Sequence, residues 1–588
     1  MISFFGDPES KVFALETNDK LDNFSIEKLN WVLNAPFLKE QIIKNNFIGP
    51  KSTMISPWST NAVEIINNMG IESLIRIEEF ICIKDDDTFD IMIQEKYKSL
   101  GPDIFKNYKT PDKQILIHDI NEYNKSEGLA LDQNEVDYLN DLSKKLNRQL
   151  TDSEVYGFSQ VNSEHCRHKI FNGRFIIDNK EKEKSLFDLI KLTSKKNKNS
   201  IVSAYSDNVA FIKGPKISLF YPEKAVTSSY YTKKNIDSII SLKAETHNFP
   251  TTVEPYNGAA TGSGGEIRDR LAGGIGSIPL IGTAVYMTPY SRLNKENLWE
   301  DKFKGREWKY QTPSEILIKA SNGASDFGNC FGQPLICGSL LTFEHSEKDH
   351  RLGYDKVIML AGGVGFGEAK QSHKKIPQKG DLIVMLGGDN YRIGMGGASV
   401  SSTDTGNYDN SIELNAVQRS NPEMQKRVTN TIRALFESEE NPIISIHDHG
   451  AGGHLNCFSE LVESTGGEIY IDKLPLGDPS LSYKEIIGNE SQERIGIIIK
   501  ESDYEIVEKI ANRERSPIYI VGKVTNDKKF RVLDRKENIE SIDLNLNSLF
   551  GDTPKKIISD NTISNNFQKI KYDNNDIESY IKSVLKIE

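Results

Sequence analysis

The sequence predicts a multidomain protein of the α/β and α+β classes, and three observations carry that expectation. The chain has 588 residues, enough at about 150 residues per domain for three or four domains, each with its own core. Runs rich in β-formers alternate with segments of helical periodicity along most of its length. Hydrophobic residues make up 37% and charged residues 27% of the chain, the balance of a folded globular protein rather than a disordered or fibrous one.

Residues 1–115 alternate short apolar runs with Pro and Gly around one helical pattern, "SIEKLNWVLN", for which Ser25 reads as the N-cap; a small α/β domain is expected. Residues 116–164 carry apolar positions at helical spacing, and Thr151 with Glu154 form a capping-box signature, so this stretch reads as a helical linker. Residues 165–370 alternate "SIISLKAET" and "KVIMLAGG", read as strands, with "PSEILIKAS", read as a helix. Residues 371–548 repeat the theme with the strand "LIVMLGG", the helix "PEMQKRVTNTIRALFES" and the strand "PIISIHDHG". Together these two stretches predict two α/β domains. Residues 549–588 turn rich in Asn and Lys and close on a short helical pattern, "IESYIKSVLKIE".

Composition excludes several classes of function. A formal charge of -11 speaks against a binder of phosphate backbones, whose affinity rests on clustered Lys and Arg. The five cysteines lie far apart with no CxxC pair, so neither a zinc ribbon nor a disulfide framework is indicated. The opening "MISFFGDPES" has no signal-peptide pattern, and no run approaches the roughly 18 apolar residues of a membrane span. A small-molecule partner and a reducing, cytoplasmic setting are expected.

The polar chemistry gathers at a few places. "GAATGSGGEIRD", residues 258–269, reads as a glycine-rich loop whose backbone N–H groups converge on phosphate, with its closing acid near Mg²⁺. It is neither a Walker A loop nor a dinucleotide fingerprint, and a plain turn between core elements competes with the phosphate reading. Just upstream, Lys243, Glu245, His247 and Asn248 stand at or past a predicted strand end, where open α/β sheets place ligands. Lys243 and Glu245 share one strand face by period-two alternation. An ammonium for phosphate, a carboxylate for a metal and an imidazole for proton transfer are the parts phosphoryl transfer requires. The alternative for His247 is a satisfied structural histidine.

In "NSEHCRHK", residues 162–169, three readings compete: a metal site at His165 and His168, a nucleophilic Cys166, and His165 as an acid/base or charge-stabilising group. The last is preferred. Asp448 in "IHDHGAGG", Glu490, Ser491 and Gln492 in "GNESQER", and Gln418 in "AVQRSNP" repeat one design, polar groups at strand–loop junctions, for which solvated turns are the competing reading. The loop around Arg392 is a further candidate anion cradle, with a structural turn as the equal alternative.

The combination of "VNSEHCRHKIFNG", "SLKAETHNFPTTVEPYNGAATGSGGEIRD", "ASNGASDFGNCFGQPLICG", "IHDHGAGGHLNC" and "IGNESQER" resembles the phosphoribosylformylglycinamidine synthases of the long, multidomain form, from the N-terminus to about residue 555. Phe249 and His168 agree with the long form rather than the short one. The resemblance implies ATP-dependent conversion of formylglycinamide ribonucleotide and glutamine-derived ammonia to formylglycinamidine ribonucleotide, ADP and phosphate. It implies His165 as a catalytic histidine and His247 as a proton acceptor. It implies Lys243 and the segment Gly258, Ala259, Ala260, Thr261, Gly262, Ser263, Gly264, Gly265, Glu266, Ile267, Arg268 and Asp269 as the ATP contacts. Glu245, Asp269 and Asp448 are the implied Mg²⁺ ligands. Thr246, Asn248, Phe249, Arg268, Gln418, Glu490, Ser491 and Gln492 are the implied substrate contacts.

The long form also carries a second synthase half and a glutaminase, which the resemblance does not reach in this chain. Ammonia from a separate glutaminase, and either a second half or self-pairing, are therefore implied. Two rival functions stand beside this one: a subunit that holds nucleotide without turnover, and a related cyclo-ligase or kinase of the same superfamily.

Overall fold

The structure, a computed structural model, describes every residue except 84–88, 108, 294–299, 301–303, 306–310, 348–349, 492, 552, 564–568, 570 and 586–588. The chain forms two compact units: Met1–Lys113 with Asp389–Ile393 and Leu474–Ile486, and the remainder from Gln114 onward.

The first unit is built on a six-stranded sheet ordered β3-β1-β2-β5-β4-β6. Its strands are β1 (Ile2–Asp7), β2 (Lys11–Thr17), β3 (Phe37–Leu38), β4 (Ile43–Pro50), β5 (Leu74–Cys82) and β6 (Gln94–Leu100). Helices α1 (Asn23–Leu33) and α2 (Pro57–Asn68) pack on one face over Phe5, Leu15, Leu29, Ile66 and Ile77. The first helix starts earlier than expected: Asp22 is the N-cap and accepts from the Ser25 N–H, so Ser25 lies inside the first turn. The Arg392 loop belongs to this unit, where the guanidinium pairs with Glu485 and donates to the Ser480 carbonyl at 2.9 Å. Its charge is spent within the fold, against the anion-cradle reading.

The second unit opens with the helical stretch α3 (Ile120–Glu127), α4 (Gln133–Leu146) and α5 (Asp152–Val161). Thr151 and Glu154 cap α5 reciprocally, as their spacing predicts. The short α6 (Glu164–Arg167) follows, then the hairpin β7 (Arg174–Ile177) and β8 (Lys180–Glu181), and α7 (Leu186–Lys196).

A second six-stranded sheet, ordered β13-β12-β16-β11-β10-β9, comprises β9 (Ile201–Ser203), β10 (Ala210–Pro222), β11 (Tyr231–Thr246), β12 (Ile278–Thr288), β13 (Leu335–Thr342) and β16 (Ile358–Glu368); β14 (Glu344–Glu347) and β15 (His350–Gly353) form a separate hairpin. It carries α8 (Asn248–Val253), α9 (Pro255–Leu271) and α10 (Pro313–Phe331).

The last layer is a seven-stranded sheet, β18-β20-β17-β21-β19-β22-β23, of β17 (Leu382–Leu386), β18 (Ser445–Asp448), β19 (Gly467–Tyr470), β20 (Ile495–Ile499), β21 (Ile518–Val524), β22 (Lys529–Asp534) and β23 (Ile539–Asn545). With it run α11 (Gly397–Val400), α12 (Asn410–Ala416), α13 (Pro422–Phe436), α14 (Gly453–Leu461) and α16 (Tyr504–Arg513), while α15 (Tyr483–Ile487) falls, but for its last residue, in the first unit. Strands β17, β18 and β20 are buried along their whole length, which is why β17 and β20 read as unbroken apolar runs. Their side chains meet α13 and α16, and Leu271, Ala272 and Ile275 from the end of α9 enter the same core. A final strand, β24 (Ile557–Asp560), pairs in parallel with β7, and α17 (Ile577–Leu585) follows. No helix among the described residues is long and apolar enough to cross a membrane.

Candidate functional site

The segment expected as a phosphate loop is the interior of α9, a correction to the sequence reading. Its amides are therefore turned to carbonyls one turn back, as in the Gly258 N–H to Glu254 O bond of 2.7 Å, and cannot fan around a phosphate. Several of its side chains are likewise taken. Ala259 packs with Ala284, Ala320 and Ala361; Ala260 and Ile267 pack with Phe327 and Phe331. Thr261 donates to Asn257 O at 2.7 Å. Glu266, pushed up to about 7 by burial, accepts from Arg270 Nε at 2.8 Å and from Gln333 Nε2 at 2.7 Å.

The glycines serve close packing instead. Gly258, Gly262 and Gly265 fall at i, i+4 and i+7, hence on one face of α9. A Cβ on Gly258 would sit 2.4 Å from the Pro250 carbonyl carbon, one on Gly262 3.0 Å from His247 Cβ, and one on Gly265 2.4 Å from Glu245 Oε1. The stripe thus lets α8 and the end of β11 lie against the helix. Four residues past Gly265, on the same face, stands Asp269.

Here the charged groups converge. Lys243 Nζ lies 2.8 Å from Asp269 Oδ2 and 3.6 Å from Glu245 Oε2. Asn208, which sequence reasoning missed, donates from one amide nitrogen to Asp269 Oδ1 at 3.2 Å and to Asp448 Oδ1 at 2.7 Å. Burial opposes charge on Lys243, but Asp269 and Glu245 outweigh it and hold the ammonium above its ordinary range. Burial also pushes Asp269 up, yet Lys243 and a hydrogen bond from Glu245 bring it below the usual carboxylate range. Glu245 is raised by burial and by the Asp269 charge, which favours its protonated form beside Asp269. Asp448 is raised to about 6 by burial and by Asp269, against the opposing pull of His447. His447 itself, held charged by Glu460, makes a buried ion pair with that residue.

Three acidic side chains with hard oxygen donors suit a divalent cation such as Mg²⁺, whose charge would oppose the repulsion that raises Glu245 and Asp448. As they stand, the carboxylates are closed on Lys243 and Asn208. Among the described residues no group of three His, Cys, Asp or Glu side chains is arranged to hold a metal ion.

His247 ends β11 and precedes α8. Burial lowers its imidazole to about 4. Its Nδ1 lies 2.6 Å from the Gly258 carbonyl, which can only accept, so Nδ1 bears the proton and Nε2 presents a free lone pair. His165, on α6, is exposed in its turn; desolvation by the surrounding chain, with His168 and Lys243 nearby, lowers it from its ordinary value. Cys166 is pushed up to about 12 by burial, which removes the thiolate a nucleophile needs. Arg268, fully buried, donates to Gln425 Oε1 at 2.9 Å, and Gln425 donates to the Gly264 carbonyl at 3.1 Å; Arg268 Nε has no partner. Ser263 Oγ is also buried without one.

The remaining expected contacts divide. Thr246 is exposed at the strand end, and Asn248 Oδ1 accepts from Met359 N at 3.3 Å. Phe249 is turned into the core with Val253, Val400 and Val417, where α8 packs its apolar face. Ser491 Oγ donates to Asn489 Oδ1 at 2.8 Å. Gln492 lies outside the described residues. Glu490 accepts at Oε1 from the Gly452 and Ala398 N–H groups, both at 3.0 Å, and at Oε2 from Gln418 Nε2 at 3.2 Å, so both its oxygens bind the protein. Gln418 Oε1 is buried and unpartnered, the free polar atom of this cluster.

Burial lifts Glu490 to about 7 in spite of those three donors. The folded chain therefore holds a proton that the unfolded chain releases above roughly pH 4.3. Its contribution is fully present below that pH and is lost as the pH rises through about 7. A Glu490→Gln variant, which keeps the acceptor for both amides, is expected to gain on the parent by on the order of 2 kcal/mol between about pH 5 and pH 8. Urea unfolding at both pH values measures this, and a constant difference would refute it.

Three family descriptions match the chain in order: formylglycinamide ribonucleotide amidotransferase N-terminal over residues 10–98, the linker domain of the same amidotransferase over 120–169, and AIR synthase related protein, C-terminal domain, over 378–535. A curated relative, phosphoribosylformylglycinamidine synthase of Dictyostelium discoideum, is 36% identical over 544 residues. That match takes in 88% of this chain, which spans 40% of the relative's length. Among solved structures, T. maritima PurL complexed with FGAR matches with a TM-score of 0.50 at 24% identity, over 74% of this chain and 58% of that one. T. maritima PurL complexed with ATP matches with a TM-score of 0.48 at 22% identity, over 76% and 61%.

Proposed function

As the chain belongs to the phosphoribosylformylglycinamidine synthase family, we propose that it supplies one ATP-dependent site of the amide-to-amidine ligase reaction. Formylglycinamide ribonucleotide, ATP and ammonia give formylglycinamidine ribonucleotide, ADP and phosphate. The amide oxygen takes the γ-phosphoryl group and leaves as phosphate when ammonia adds at the amide carbon. The observation that carries this reading is the convergence of Lys243, Asp269, Glu245 and Asp448 at the end of the strand that also carries His247, whose Nε2 is unprotonated.

In this reading Lys243 and Arg268 face the phosphates, and His247 Nε2 accepts the proton that incoming ammonia sheds. His165 stabilises the charge that develops in the reaction. Glu245, Asp269 and Asp448 would hold Mg²⁺, which when bound neutralises the charge that develops on phosphoryl oxygens. Thr246, Asn248, Gln418 and Ser491 are assigned to the substrate, and Glu490 to holding Gln418. Ammonia comes from a glutaminase, and a second synthase half or a second copy of this chain completes the assembly.

The test is ADP formation by the purified chain with ATP, Mg²⁺, formylglycinamide ribonucleotide and ammonium, with and without a second-half polypeptide. Substrate-dependent ADP formation should fall by about two to four powers of ten in His247→Ala. Nucleotide that binds but is never turned over in either mixture would replace this reading with that of a nucleotide-holding subunit.

A further inference from the structure

The turn that carries His165 is short, and little of its own holds it in place. Helix α6 has four residues, with Ser163 Oγ capping the Cys166 N–H at 3.2 Å and His168 closing it at a φ of 50°. Glu164 N donates to Ser402 Oγ at 3.1 Å, and Arg167 approaches Glu460 at 3.9 Å. Lys169 pairs with Glu135 of α4 at 2.8 Å, and Phe187 N donates to Phe171 O at 3.0 Å. Most of the other anchors come from one distant stretch of chain that leaves the seven-stranded sheet after β23.

That stretch grips the turn at both ends. On its entry side, Asn162 Nδ2 donates to Leu549 O at 2.8 Å, and the Arg167 guanidinium lies 4.4 Å from the centre of the Phe550 ring. Tyr138 OH fixes the same segment by donating to Ser548 O at 2.8 Å. On its exit side, Arg174 N donates to Lys556 O at 2.8 Å, and β24 then runs along β7 from Ile557 to Asp560. Asp178 ends the pairing by accepting from Thr562 N at 2.7 Å and Thr562 Oγ1 at 2.6 Å. A side chain at Gly173 would meet the Lys556 carbonyl at 2.9 Å, so the two backbones lie in direct contact.

We propose that the two segments 548–550 and 556–562 form a strap that sets the position of the His165 turn, with Phe550 and Asp178 as positioning residues. This rests on His165 acting in the site, as proposed above. The strap bears on it through geometry alone: holding Asn162, Arg167 and Arg174 narrows the paths open to the residues between them, His165 included.

Cys166, half-buried next to His165, reports the order of the turn without any need for turnover. In the 588-residue chain, alkylation of each cysteine is followed by peptide mass spectrometry. Phe550→Ala and, separately, Asp178→Ala are expected to speed Cys166 labelling by about tenfold through easier local opening. Phe550→Tyr should restore the parent rate, and the buried Cys457 should stay slow throughout. An unchanged Cys166 rate in both variants overturns the strap, and so does a parallel rise at Cys457, which would mark general loosening. Because labelling reads the turn and not the reaction, failure of the ligase reading leaves this result intact.

Discussion

Lys243→Met is expected to destabilise the second unit by roughly 3–5 kcal/mol, the range for removing one partner from a buried ion pair. Methionine keeps the length and the apolar stem of lysine but leaves Asp269 without the cation 2.8 Å away, beside Glu245 and Asp448. The three carboxyl groups can then relieve one another only by taking up protons, so their pKa values rise. The deficit should accordingly be largest at alkaline pH and shrink as the pH falls through the carboxylate range. Urea unfolding of parent and variant across that range measures it. A loss below about 1 kcal/mol at every pH would mean that solvent reaches the cluster and screens it.

Gly258→Ala should also destabilise, and here the sign is the test. Within a helix, replacing glycine by alanine ordinarily stabilises by about 1 kcal/mol, because alanine has less freedom to lose. In α9 the added methyl would lie 2.4 Å from the Pro250 carbonyl carbon and 2.5 Å from both its oxygen and the Thr251 nitrogen. All three are backbone atoms, so α8 and α9 must part, and a net loss of about 2–3 kcal/mol is expected. Gly265→Ala makes a useful contrast, since its methyl meets the mobile end of Glu245. That substitution should cost less stability and disturb the charged cluster more. A higher melting temperature for Gly258→Ala would show that the close packing of these two helices is not required.

Much of the architecture was legible in the sequence. The fully apolar strands, the amphipathic α13 and the reciprocal cap at Thr151 and Glu154 are local patterns, and each appears where local physics puts it. Residues 258–269 were legible in kind but misread in form. Glycine density suggests a loop, whereas the spacing of Gly258, Gly262, Gly265 and Asp269 is helical and marks a face of close approach. Read by its period and not its composition, the segment would have been assigned correctly. Asn208 and Gln425 had no such signal. Asn208 lies 61 residues from Asp269 and 240 from Asp448, and Gln425 lies 157 from Arg268, so only the folded chain brings them together. The hydrogen bonds of Glu490 were not legible, because its partners at Ala398 and Gly452 are backbone groups that leave no trace in side-chain identity.

Asn208 joins acids from the two stacked layers of the second unit: Asp269 belongs to α9 and Asp448 to the end of β18. Leu271, Ala272 and Ile275 join the same layers through shared apolar packing. Parting them would open a core and strand buried charge in one event, so neither layer has an intermediate of low energy to rest in. Heating this unit should therefore give a single heat-absorption peak, with calorimetric and van't Hoff enthalpies in agreement, and not one peak per layer.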